Sequence, residues 1–182
     1  MGAFLADANL ADTDLRRADL SEAVMNKANL QGANLEDAKM IHTRLKEVNL
    51  KAANLSRADL TKADLRDTDL ENANLMGANL RTAHLKGANL QEVNLTSAVL
   101  EHANLHSGNL RAANLRLAQL NGAKLTGTIC KERIYKVQIS QVRPRLNLAN
   151  PVCHRNRSIL PAETKKPNCR PKSSHLSQGS SS

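Results

Sequence analysis

Residues that could do chemistry are plentiful in this chain, but their spacing points away from catalysis. Lys46, Arg66 and Lys86 recur at twenty-residue intervals between Asn26 and His106, a cationic stripe able in principle to hold an anion. Glu47, Asp64 and Asp67 fall beside them, so the stripe is expected to neutralise itself. Cys153, His154 and Cys169 are zinc-ligating types, yet no Cys-x-x-Cys pair supports a zinc centre. No metal or other cofactor is expected. Aspartates are distributed evenly along the chain, whereas acid–base catalysis needs carboxylates gathered in a cleft with shifted pKa values. P-loop, dinucleotide, nucleophile-elbow and His-Glu-x-x-His motifs are all missing from the sequence. The chain reads as a non-enzyme.

What positions these residues is a repeat. Every fifth residue from Leu5 to Leu125 is leucine, except Met25 and Met40, and the register holds across 25 pentapeptides. On an α-helix, residues five apart are rotated by about 140°, which spreads the leucines around the whole circumference. On a straight strand they alternate between faces. A chain that bends once per pentapeptide aims every leucine at a common axis while its coils stack.

The residue two before each leucine is alanine in 19 of the 25 units, and otherwise Thr13, Thr43, Val48, Thr68, Val93 or Gly108. In an extended segment that residue shares a side with the leucine. Both point inward, and only a small partner lets the leucines fill a narrow bore. The residue between them points outward and is Asn or Asp in 17 of 25 units. Those side chains suit a repeating bend, because they bond to nearby backbone and stack as ladders.

Ala28-Asn29-Leu30, Ala58-Asp59-Leu60 and Ala88-Asn89-Leu90 typify the repeat, and residues 3–127 resemble the pentapeptide-repeat family. The resemblance implies an all-β solenoid, a right-handed quadrilateral β-helix with four pentapeptides per coil. It also implies one functional alternative: some family members look like duplex DNA and bind type II topoisomerases such as gyrase in its place. Such mimicry needs a strongly negative rod, and residues 3–127 carry 15 Lys/Arg against 15 Asp/Glu.

The sequence tests four-sidedness itself. The outward position departs from Asn/Asp at Phe4, Val24, Lys39, Arg44, His84, Val99, Gln119 and Lys124. Sorted with a period of twenty, all eight fall on two neighbouring sides; sorted with a period of fifteen, they scatter over every side. The same corner collects Met25, Met40, Ile41, His42, His102 and His106. Solenoids hold their shape with regular columns and differentiate themselves through irregular ones, so this corner is the candidate interaction surface for a protein partner of unspecified identity.

Beyond Gly127 the chain changes character. The last 55 residues hold 11 basic and two acidic side chains (Glu132, Glu163), which accounts for the whole net charge of +9, together with all five prolines and all three cysteines. Thr128 and Cys130 continue the inward slots, so Cys130 reads as a core residue. Residues 128–142, with Ile134, Val137, Ile139 and Val142, are a candidate cap over the last coil. Residues 143–182 have the composition of a disordered tail. The whole basic segment after Gly127 would give weak, sequence-independent nucleic-acid contact, with Tyr135 its only aromatic residue for stacking. The first unit starts almost at Met1, so the open N-terminal coil is expected to be covered by a second copy of the chain or to continue into a longer protein. An odd cysteine count without a disulfide framework points to a reducing, cytoplasmic compartment. No apolar run reaches membrane-spanning length.

Overall fold

Leucine inward, alanine beside it and one bend per pentapeptide produce the expected solenoid. The computed structural model describes residues 2–130, and these wind as a right-handed, four-sided β-helix. Parallel bridges join residues twenty apart from Phe4–Val24 to Asn109–Ile129, so one coil is four pentapeptides. We number the sides by their inward centres: side 1 runs from Leu5 to Leu125, side 2 from Leu10 to Cys130, side 3 from Leu15 to Leu115 and side 4 from Leu20 to Leu120.

The bore is filled. Every centre from Leu20 to Leu120 is buried, including Met25 and Met40, which therefore belong to the core although the sequence grouped them with the irregular corner. The alanine slots are closed in the same way. Thr43 and Thr68 occupy two of them without leaving an unpaired hydroxyl: Thr43 Oγ1 donates to the Leu20 carbonyl at 2.9 Å and Thr68 Oγ1 to the Leu45 carbonyl at 2.8 Å. The centres Leu5, Leu10 and Leu15 of the first coil are only partly buried. At the other end Thr128 is buried and Cys130 packs half-buried against the core. The candidate cap residues Ile134, Val137, Ile139 and Val142, the tail, and Cys153, His154 and Cys169 lie outside the described residues.

The backbone can be followed donor by donor. In the unit centred on Leu50, Val48 N–H closes the preceding corner onto the Leu45 carbonyl at 3.3 Å. Asn49 N–H reaches back one coil to Ala28, whereas Leu50 and Ala52 N–H reach forward to Asp69 and Glu71. The corner itself is a four-residue turn, Leu50 to Ala53, whose third residue, Ala52, is left-handed with φ 54°. All such corner residues from Asp7 to Gly127 are left-handed, and most are not glycine. One donor per pentapeptide remains outside this ladder: the N–H of the residue just after each centre.

Candidate functional site

That leftover N–H explains the outward Asn/Asp column. At Lys51 it donates to Asn49 Oδ1 at 3.2 Å, so the outward side chain caps the corner that follows it. On sides 2 and 3 every corner N–H from Ala11 to Arg116 is capped in this way. The amide ends of the same side chains form ladders between coils. Asn29 donates to Asn9 and Asn49 to Asn29, both at 3.1 Å, on side 2; Asn54, Asn74 and Asn94 each donate to the coil below on side 3. Sides 2 and 3 thus leave no corner N–H from Ala11 to Arg116 uncapped.

Sides 1 and 4 are different. Asp19, Asp59, Asp64, Asn79 and Asn104 cap their corners as elsewhere. Among the described residues, no acceptor reaches the N–H of Asn26, Ile41, Lys86, Glu101, Asn121 or Thr126. These follow Val24, Lys39, His84, Val99, Gln119 and Lys124, side chains that leave the corner uncapped. Arg44 leaves the same gap at Lys46, where Asn26 Oδ1 from the coil below fills it at 3.1 Å. Sequence reading had no means of assigning that role to Asn26, because the bond joins residues twenty apart.

All eight candidates of the corner, Val24, Lys39, Ile41, Arg44, His84, Val99, Gln119 and Lys124, lie at the surface on sides 1 and 4. Lys39, Arg44, His84, Gln119 and Lys124 are exposed, and Val24, Ile41 and Val99 are half-buried. Gly2, Glu22, Val24, His42 and Arg44 line a shallow open depression at the N-terminal end of the corner. Phe4 is 79% exposed, and Met76 and Leu117, which the sequence did not single out, are 43% and 49% exposed on the corner that closes side 3.

The cationic stripe is neutralised in two of its three members. Lys46 pairs with Glu47 at 2.9 Å, and Arg66 pairs with Asp64 at 2.6 Å. Hydrogen bonds from the Arg66 side chain hold the Asp64 carboxyl below its ordinary range, and Glu47 raises the Lys46 ammonium. Lys86 has no ion pair among the described residues. Elsewhere Arg16 holds Asp14, lowering its pKa to about 2. Arg57 bridges Glu36 and Asp37, and Lys51 bridges Asp69 and Glu71. Lys39, Arg44, Lys62 and Lys124, all on sides 1 and 4, have no ion pair among the described residues. The same edge carries His42, His84 and His102; of its acids, Asp64 and Glu101 are bound by Arg66 and Arg81, while Asp19, Glu22 and Asp59 have no ion pair among the described residues.

Comparison with known proteins places this architecture. A family model described as pentapeptide repeats matches residues 3–40, 43–81, 78–116 and 94–129. Curated proteins yield no match. Among solved structures, the chain is similar to a pentapeptide repeat protein of the Arabidopsis thaliana thylakoid lumen, at 29% identity and a TM-score of 0.52, over 54% of this chain and 68% of that one. It also shares the fold of QnrB1, a plasmid-mediated fluoroquinolone resistance protein, at 23% identity and a TM-score of 0.60, over 63% of this chain and 58% of that one. With half of the chain and more matched by the family model, and with twenty-residue coils, leucine centres and capped corners, the chain belongs to the pentapeptide repeat family.

Proposed function

We propose that the chain is a non-enzymatic protein-interaction scaffold, a rigid rod whose irregular edge between sides 4 and 1 meets a protein partner. The observation that carries this reading is the asymmetry of hydrogen bonding. Sides 2 and 3 use their outward residues to cap every corner N–H from Ala11 to Arg116, whereas sides 1 and 4 leave those of Asn26, Ile41, Lys86, Glu101, Asn121 and Thr126 uncapped among the described residues. A filled bore offers no enclosed cleft for a small substrate. About six coils at roughly 4.8 Å each make a rod of about 30 Å, long enough to present the edge as an extended surface. The zero net charge of residues 3–127 argues against duplex mimicry directed at a topoisomerase.

Returning Val24, Arg44, His84, Val99 and Gln119 together to Asn tests this. At Val24, His84, Val99 and Gln119 the Asn restores a cap of the kind seen on sides 2 and 3, and at Arg44 it replaces the cap that Asn26 already gives the Lys46 N–H, so the variant should melt at or above the wild-type temperature while losing the protein that wild type retains from an extract of its source. A variant that keeps every partner would show that the irregular edge is not the binding surface.

A further inference from the structure

Two places in the rod show how a repeat corner holds a carboxylate. Asp64 Oδ1 accepts the backbone N–H of Arg66 at 3.3 Å and its Nε at 2.7 Å, while Oδ2 accepts Arg66 Nη2 at 2.6 Å. Asp14 is held by Arg16 in the same manner, with the backbone N–H at 3.2 Å and Nε at 2.9 Å. In both, the residue after the centre supplies a backbone donor and a side-chain cation, and the residue before the centre supplies the acid. One coil above Asp64 the receiving half recurs without the acid. Lys86 offers an N–H with no acceptor and an ammonium with no ion pair among the described residues, and exposed His84 stands where the carboxylate would be.

We infer that the edge takes an acidic, extended segment of the protein partner, one of whose Asp or Glu carboxylates docks on the Lys86 N–H and ammonium. The inference rests on the reading of this edge as the interaction surface and adds the chemistry of the occupant. Charge complementarity selects it. Around Lys86 itself, Asp64 and Glu101 are already bound by arginines; Asp19 and Asp59, which cap their own corners, and Glu22, which has no ion pair among the described residues, lie on other units of the edge. Lys39, Arg44, Lys62 and Lys124 remain available along the same edge. Asp67 is the acid that opposes the site. A Cβ added at Gly87 would meet its Oδ1 at 2.3 Å, which places that carboxylate against Gly87, the residue after Lys86, and it has no ion pair with Lys86. Lys86 N–H and Thr126 N–H, both uncapped on side 1, are two coils apart, about 10 Å. An extended chain spans that distance in three residues, so alternating or clustered acids can engage both.

The test is amide NMR on the full chain, titrated with an N-acetylated, C-amidated tetraglutamate peptide and separately with a short DNA duplex. The Lys86 amide proton should move downfield and saturate as peptide is added. In His84→Asn the amide should already be shifted without peptide and no longer respond, because the cap is restored in cis; in His84→Ala it should still respond. An unresponsive Lys86 amide in wild type, equal responses of His84→Asn and His84→Ala, or a response to duplex in preference to peptide would each overturn the proposal. If the amide is unresponsive but the five-Asn variant still loses its partner, the acidic occupant is wrong and the scaffold reading stands.

Discussion

At the scale of single residues, the rod depends on inward leucines that each contribute roughly 1.5–3 kcal/mol by burial, against ordering costs of about 1–2 kcal/mol per residue. Leucines alone do not balance that cost. The backbone ladder and the corner caps must share it, and this makes the fold sensitive to any charge placed in the bore. Leu65 is 0% exposed, midway along side 1. Leu65→Asp should destabilise the protein by more than about 3 kcal/mol, because an unpaired carboxylate replaces a filled apolar site, and should loosen the coils above and below together. Thermal melting followed by circular dichroism checks this. A melt that overlays wild type would overturn the inward placement of the leucines.

At the scale of the pentapeptide, much of the architecture was legible and one part was not. Leucine and alanine spacing predicts inward slots, and the grouping of Lys39, Arg44, His84 and the other irregular residues predicts a twenty-residue coil, because burial and coil geometry both leave periodic traces in residue type. The corner left a weaker one, the glycines Gly32, Gly77, Gly87, Gly122 and Gly127 two residues after their centres. Left-handed residues such as Arg17, Glu47, Ala52 and Leu117 share no composition, since the corner side chain points into solvent and the ladder, not the residue, imposes the conformation. The outward Asn/Asp signalled a bend stabilised by its side chain without locating it; the structure places the bend two to three residues later, and the Asn or Asp caps it. For the same reason the uncapped N–H of Lys86 could not be read from sequence, although His84 marked the spot. Left-handed geometry at a non-glycine residue carries a steric cost of about 1–2 kcal/mol, partly offset by the unfolded-state freedom that glycine adds. Ala52 is exposed with φ 54°. Ala52→Gly should therefore stabilise the rod by about 0.5–1 kcal/mol, seen as a rise in Tm of about 1–4 °C. A fall in Tm would mean that the corner is not under steric load.

At the scale of the whole molecule, each coil touches only its neighbours, so shape is uniform and function must reside in what varies along the surface. Two sides cap every corner N–H from Ala11 to Arg116 with their own Asn and Asp side chains, and two carry the open corner donors and the histidines. The central claim is that the open edge is where a protein partner sits. Hydroxyl-radical footprinting of side chains, with and without the bound partner, reads this directly. Ile41, His42, His84 and His102 on the edge should be oxidised less in the complex, while Met76 and Leu117 on the corner that closes side 3 should be oxidised equally in both states. Protection of Met76 and Leu117 with unchanged oxidation of Ile41, His42, His84 and His102 would contradict the account.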